Sequence, residues 1–337
     1  MKFYLAPLEG ITGYIYRSTY HKYFGEIDKY FTPFISPNKK KICRTREKND
    51  ILPENNAGMY VVPQILTNHA GAFLNTVHYL QDFGYEEVNL NLGCPVGTVV
   101  SKGKGSGFLA YPDKLRAFFD EIFCHADIKI SVKTRIGMSH ADEFALLLDI
   151  FNEFPLYELI IHPRTREDYY KNTPNWDIFS YGYERSQAEV CYNGDLYAKK
   201  DFQLLVNQFP QLEEVMLGRG ILRCPGIISS IKYGTEMTKE KLHGFHDELY
   251  ERYKETLPGE KPVLCKMKEL WSYLIYSFEY DAKIEKKLKK AQKCAEYESI
   301  IQKLFYEYDL CVCNGGEDGQ IYQHTINRRE SERSEGR

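Results

Sequence analysis

VNLNLGCPVGTVVSKGKGSGFLA (Val88–Ala110) joins an alternating run to a corner rich in glycine. Val88, Leu90 and Leu92 alternate with Asn89 and Asn91, the period of a strand with two unlike faces. Gly93 and Pro95 stop that strand. Cys94 stands between them where the backbone must turn sharply, a place from which a thiol can be presented to a ligand. The ordinary alternative is a small apolar residue packed into a turn. The next segment favours the first reading: Lys102, Gly103, Lys104, Gly105 and Gly107 make a flexible, basic loop suited to an anionic ligand.

The same grammar, an apolar run ending in polar residues, recurs along the chain. FYLAP, KYFTPFI, YVVPQIL, EVNLNLG, IKISVKTR, YELIIHP, EVCYNGD and EVMLGRG are eight strand candidates. Amphipathic helix candidates lie between them, at 70–83, 112–124, 141–154, 199–209 and 224–232. Eight strands alternating with helices predict an α/β fold, a (β/α)8 TIM barrel of about 235 residues, with a doubly wound sheet as the alternative.

Composition is that of a globular protein: 337 residues, 43% hydrophobic and 27% charged, with a net charge of −3. The opening MKFYLAPLEG breaks at Pro7, too early for a signal peptide, and no run of about 20 apolar residues is present to span a bilayer. A cytoplasmic protein is expected. Nine cysteines are scattered without a CxxC pair, which favours reduced thiols over a disulfide framework and gives no metal site; Cys311 and Cys313 are the one close pair. The overall charge argues against nonspecific nucleic-acid binding by the whole surface and leaves room for local basic patches.

On a TIM barrel, catalytic groups belong at the C-terminal strand ends. Glu9, Gln64, Asn91 with Cys94, Lys133 with Arg135, His162 with Arg164, Asn193-Gly194-Asp195 and Gly218-Arg219-Gly220 all fall there. Each has an ordinary explanation alone, as a solvated strand end, a structural histidine or a tight turn. Their shared place on one rim points to a site. The last two strand ends offer glycine N–H groups and Arg219 before a helix, where this fold commonly binds phosphate. Lys133 suits the electron-rich edge of a reduced flavin, and Gln64 can donate to and accept from its ring, so FMN fits the rim. A thiol at Cys94, with an ordinary pKa of about 8.5, is protonated at neutral pH and able to donate.

LAPLEGITGYIYR, NLNLGCPV with SKGKGSGFL, SVKTRIG, HPRTREDYY, YNGD and LGRGIL, in that order over the first ~225 residues, resemble the tRNA-dihydrouridine synthase (Dus) family. Glu9 is similar to the C branch of the bacterial members. The resemblance implies FMN-dependent reduction of the 5,6 double bond of particular D-loop uridines in tRNA, with NADPH as reductant. It implies flavin contacts from Pro7, Leu8, Glu9, Gln64, Lys133, His162, Asn193, Gly194, Asp195, Gly218 and Arg219. Hydride would reach uracil C6 and Cys94 would protonate C5; Asn91 would orient the uracil edge, and Arg164 and Arg135 would meet the substrate or its phosphates. Lys102 and Lys104 keep the family's basic loop. Leu8 replaces a common methionine, and Pro163 a common glycine or alanine.

From about Thr235 the pattern becomes helical, with Leu242, Phe245, Leu249 and Tyr253, then Met267, Leu270, Trp271, Leu274 and Phe278, at helical spacing. The expected organisation is a catalytic barrel over 1–234, a helical tRNA-binding domain over 235–312 and a polar, flexible tail over 313–337. In AKIEKKLKKAQK (282–293), Lys286 and Lys290 are candidate contacts to tRNA phosphates, against the ordinary reading of a solvated helix face. NKKKICRTREK (38–48) is a second basic segment. No membrane and no protein partner are implied. The rival functions are reduction of a small pyrimidine by an FMN barrel of the dihydroorotate dehydrogenase type, and RNA binding by a catalytically silent barrel.

Overall fold

The computed structural model describes residues 1–38 and 41–311. The strands are β1 (Lys2–Leu5), β2 (Lys29–Phe31), β3 (Val61–Val62), β4 (Gln64–Ile65), β5 (Glu87–Leu92), β6 (Lys129–Arg135), β7 (Glu158–His162), β8 (Glu189–Tyr192) and β9 (Glu214–Leu217). They pair in the order β3-β2-β1-β9-β8-β7-β6-β5-β4, parallel throughout. The expected barrel is present, with a difference in its third strand. Pro63 lacks an N–H and splits YVVPQIL into β3, paired with β2, and β4, paired with β5. The carbonyl of Pro63 still accepts from Asn89 N at 2.9 Å, and the ring closes through Ile35 N donating to Gln64 O at 2.7 Å.

The period of two divides the strands. Outward residues such as Val88, Leu90, Leu92, Val132, Leu159 and Ile161 pack under the helices in the main core. Tyr4, Ala6, Phe31, Val62, Ile160, Cys191 and Met216 form a second, smaller core inside the ring. Polar residues close the lumen at both ends, so it is filled rather than open. Helices Ala70–Gln81, Pro112–His125, Glu143–Asn152 and Lys199–Gln208 lie where helical periodicity predicts them. The 224–232 candidate is helical only from Ile227, as Ile227–Tyr233, and a separate short helix outside it, Arg219–Arg223, precedes the Cys224-Pro225-Gly226 turn.

Beyond Tyr233 the chain is helical: Lys239–Thr256, Glu260–Leu274, Ala282–Lys290 and Cys294–Glu307. The first of these seats Phe245 edge-on against Tyr16, Tyr20, Tyr23 and Phe24 of the barrel's opening helix and its end. Arg252 adds bonds to Ser18 Oγ (2.8 Å) and Thr19 Oγ1 (2.7 Å). Within the bundle, Tyr297 Oη joins Trp271 Nε1 and His246 Nε2 in a buried network. The tail expected over 313–337 lies outside the described residues, as does Cys313.

Seven described cysteines, Cys43, Cys94, Cys124, Cys191, Cys265, Cys294 and Cys311, carry free thiols. Cys224 is disulfide-bonded, which departs from the expectation of reduced thiols throughout. Among the described residues no cluster of three or more His, Cys, Asp or Glu is placed to hold a metal, and no helix is long and apolar enough to cross a membrane.

Candidate active site

At the end of β5 the side chain of Asn91 folds back over its own turn. Its Oδ1 accepts from Gly93 N (3.1 Å) and Cys94 N (2.9 Å), and its Nδ2 donates to Gln64 Oε1 at 2.7 Å. Gln64 Nε2 donates to Asn89 Oδ1 at 2.8 Å, and Asn89 Nδ2 donates to Ser131 Oγ at 3.0 Å. A chain of amides thus runs across three strands and sets the Gly-Cys-Pro corner.

The glycine-rich segment that follows is packed rather than open. It forms a short helix, Gly97–Val100, and a 3-10 turn, Gly105–Ala110, whose first five residues are buried. Ser106 bonds the Cys94 carbonyl through both its N (3.1 Å) and its Oγ (2.9 Å). A Cβ on Gly105, at φ +56°, would meet Cys94 O at 2.8 Å, and one on Gly107 would meet Val100 O at 2.6 Å. These glycines let the segment press against the corner and hold it from behind. Lys102 is exposed and Lys104 half-buried on this segment.

Cys94 itself is half-buried. Burial pushes its thiol up, against the Val96 backbone N–H and the charges of Arg135 and Lys133, which draw it down. The thiol is therefore protonated at neutral pH. Lys133 extends into the same space. Among the described residues its ammonium has no hydrogen-bond or ion-pair partner, and burial, reinforced by Arg135, pushes its pKa down to about 8.

The opposite side of the mouth is an arginine clamp. Asp195 Oδ1 accepts from Arg164 Nη1 (3.0 Å) and Arg219 Nη2 (2.6 Å), while its Oδ2 takes Arg164 Nη2. Arg164 Nη1 also lies 3.2 Å from His162 Nε2. A guanidinium can only donate, so Nε2 accepts and the ring proton is on Nδ1. Burial and the neighbouring charges of Arg135, Arg164, Lys133 and Arg219 hold His162 neutral. Asn193 ties three strands by its N to Ile161 O (2.9 Å) and its Nδ2 to Met216 O (2.8 Å). Gly194 is required by packing, since a Cβ there would fall 2.0 Å from Tyr192 Oη; one on Gly218 would meet Ala6 Cβ at 3.3 Å.

Arg135 spends its donors on backbone: Gly93 O (3.0 Å), Thr165 O (2.7 Å) and Tyr169 O (2.9 Å). It braces the cysteine corner against the loop after β7. At the β1 end, Leu8 N donates to Thr12 Oγ1 at 2.8 Å, and Ile11 N and Thr12 N both donate to Leu8 O at 3.0 Å. Pro7 and Leu8 are half-buried in that turn, and Glu9 points outward to pair with Arg46 of the second basic segment. Lys286 and Lys290 stand apart from the mouth, exposed on the helix Ala282–Lys290, whose Ile284 and Leu288 face the core.

Residue types alone did not single out Tyr170. Its ring lies 4.3 Å from the Arg219 guanidinium carbon and 5.4 Å from that of Arg135, within the mouth. The available signal was its position in HPRTREDYY, eight residues past the end of β7.

The sequence from residue 4 to 307 matches the model of the dihydrouridine synthase (Dus) family. The chain belongs to the Dus family. Its relatives include a probable tRNA-dihydrouridine synthase of Staphylococcus aureus (strain COL), 29% identical over 232 residues that cover 66% of this chain and 69% of the relative. One from Staphylococcus epidermidis is 27% identical over 263 residues, 74% of this chain and 78% of the relative. A probable tRNA-dihydrouridine synthase 2 of Bacillus subtilis is 27% identical over 232 residues, covering 66% and 70%. Among solved structures, morphinone reductase in complex with tetrahydroNAD superimposes with a TM-score of 0.50 at 10% identity, over 70% of this chain and 88% of its own. That likeness concerns the barrel fold. The Dus assignment covers both the barrel and the helices that follow it.

Proposed function

We propose that this Dus-family chain reduces specific D-loop uridines in tRNA to 5,6-dihydrouridine, using FMN with NADPH as reductant. The observation that carries the reading is the Cys94 corner, a protonated thiol held by Asn91 and Ser106 beside Lys133, which has no partner among the described residues. The names of the Staphylococcus and Bacillus relatives support it.

The donor set fits a phosphorylated flavin. Lys133 offers a cation with no partner among the described residues, Gln64 an amide edge, and neutral His162 a ring N–H on Nδ1. Arg219, Gly218 and the Asn193–Asp195 turn form the phosphate end, and Pro7, Leu8 and Glu9 the β1 wall. When bound there, FMN would supply hydride chemistry at uracil C6, with NADPH as its reductant.

Cys94 completes the addition. Its proton goes to C5 while the S–H bonding pair remains on sulfur, so one hydride and one proton saturate the C5=C6 bond. The thiolate then regains a proton from solvent. Burial keeps the thiol protonated before the step and favours return of a proton to sulfur after it. Asn91 aims the thiol and keeps one amide hydrogen for the uracil edge. Arg135 and Arg164 both act as positioning residues, Arg164 being buried with its donors on Asn172 O, His162 Nε2 and Asp195.

A uridine reaches this depth only after leaving its stack, at a cost of a few kcal/mol that protein contacts must offset. Lys102 and Lys104 near the mouth, with Lys286 and Lys290 on the helical domain, provide cations for the tRNA backbone. In this division the barrel over 1–234 carries the chemistry and the bundle over 235–312 carries the tRNA. A small pyrimidine would have no use for an exposed lysine face in a separate bundle. The protein acts in the cytoplasm, where tRNA and NADPH are found together.

The test is dihydrouridine content at each D-loop position in tRNA from a strain lacking the protein. Loss at defined positions, restored by the wild-type gene and not by Cys94→Ala, is expected. An unchanged profile in a strain without a redundant enzyme overturns the reading and moves the small-pyrimidine flavoenzyme to first place.

A further inference from the structure

The helix Glu260–Leu274 touches the mouth directly. Lys266 Nζ donates to the carbonyl of Gly10 in the turn after β1. One helical turn later, both carboxylate oxygens of Glu269 lie 3.4 Å from where a Cβ on Gly10 would stand. Gly10 has φ +84°, a conformation costly for any side chain, so the turn has little freedom to change its residue or its path. The turn is therefore gripped from two sides, by Thr12 and the Leu8 carbonyl within the barrel and by Lys266 from the helical domain.

The other side of the same helix meets the lysine-rich one. Lys268 Nζ donates to the carbonyl of Ala291, the residue that ends Ala282–Lys290. A single helix thus bridges the exposed lysine face and the Pro7–Gly10 wall, with Lys268 and Lys266 as its two polar attachments. Burial chiefly raises the Cys94 thiol, and the charge of Glu9 in that wall adds to it.

We propose that Lys266 is a positioning residue, which holds the Gly10 carbonyl and thereby sets the Pro7–Gly10 wall in register with tRNA docked on the helical domain. This rests on the proposed tRNA-reducing function. Arg252 provides the comparison. It also ties the helical domain to the barrel, through Ser18 and Thr19, but on the outer helix Tyr14–Tyr23 rather than at the mouth. A mere tether would make the two residues equivalent.

The experiment uses full-length, FMN-loaded protein with Lys266→Met, Lys266→Arg and Arg252→Met. Hydrogen exchange is followed at the Leu8–Thr12 amides, and kcat and KM are measured with tRNA. Lys266→Met is expected to speed exchange in that turn and to lower kcat, each by about tenfold or more, with KM within about twofold, because a misplaced wall costs alignment rather than docking. Lys266→Arg restores most of both, and Arg252→Met changes neither by more than about twofold. Lys266→Gln, with a neutral donor, falls between and serves if the methionine variant does not accumulate. Unchanged exchange and kcat in Lys266→Met, or the same changes in Arg252→Met, overturn the proposal. Wild-type protein that reduces no uridine sinks the functional reading instead, while the exchange comparison still decides whether Lys266 holds the turn.

Discussion

The two ends of the barrel are both polar and buried, yet their charges are arranged in opposite ways. At the N-terminal end Lys29 lies 3.2 Å from Glu87 and 3.5 Å from Glu158, Tyr4 Oη donates to Glu158 at 2.8 Å and Tyr60 Oη to Glu87 at 3.0 Å. Lys2 pairs with Glu214 at 2.8 Å. The oxygens left over, Glu158 Oε2 and Glu214 Oε2, are both buried without a partner, which a single proton shared between the two carboxyls satisfies. At the mouth, Arg164 and Arg219 share the carboxylate of Asp195, Arg135 spends its donors on backbone carbonyls, and among the described residues Lys133 has no partner. Charge that cancels internally holds strands together; charge in excess waits for something from outside. The comparison separates a structural floor from a functional rim without reference to residue type, since lysines and carboxylates occur in both.

The sharpest way to break it is at Cys94. Cys94→Ala should lower the rate of uridine reduction by about 10²–10⁴, the range for loss of a general acid, while leaving the melting temperature near that of wild type; single-turnover reduction of tRNA measures it. A loss below tenfold would remove Cys94 from the acid role.

Lys29→Met, at the other end, should do the reverse. It leaves Glu87 and Glu158 buried without their cation and should destabilise by about 3–5 kcal/mol, with kcat per folded molecule unchanged. Urea titration with an activity measurement at low temperature checks both halves. If kcat falls while stability holds, the floor is not merely structural.

Lys133→Met should release flavin yet stabilise the flavin-free protein, by on the order of 1 kcal/mol at pH 7. The sign follows from its pKa, depressed by burial to about 8 from the ordinary 10.5 of a lysine. The fold disfavours the cation, so the protein gains stability as pH rises from about 8 toward 10.5 and gains none of it in Lys133→Met. Affinity for an anionic flavin should instead fall as pH passes about 8. Thermal midpoints and flavin titration between pH 7 and 10 read the two trends.

Glu158→Gln sharpens the shared-proton reading. Burial, with Glu214 and Glu87 nearby, pushes Glu158 up to about 8 in spite of Lys29. A raised carboxyl contributes stability that is fully present below its unfolded pKa, near 4.5, and is lost as pH climbs through about 8. Wild type should lose stability across that window and Glu158→Gln should lose less, with a difference at pH 7 of about 1 kcal/mol or below. The smallest effect is expected at Lys290→Ala, which should weaken tRNA binding a few-fold and reduce the salt slope by about one.

Much of the rim was legible in the sequence because strand ends are local features. Asn91, Cys94, Lys133, His162 and Gly218 each stand at the end of an alternating run, and a parallel barrel brings all such ends to one face. What those residues do to one another was not legible. Arg135 reads as a cation for substrate, yet its donors go to three carbonyls contributed by two loops. Asp195 reads as part of a tight turn, yet it is the counterion of two arginines, 31 and 24 residues away. The basic glycine loop reads as a flexible flap, yet its glycines serve close packing behind Cys94.

By itself the sequence determined the alternation of strand and helix, the inward and outward faces of each strand, the family, and the set of polar groups delivered to the mouth. Each follows from periodicity or from a short motif. The tertiary structure alone decided that Pro63 splits the third strand between two neighbours, that Lys29 and not Lys133 is neutralised, and that Lys266 of the helical domain grips the turn after β1. The reason is physical: a side chain's direction is set by its own few residues, whereas its partner, and so its charge state, is set by whichever distant strand or helix is packed across from it.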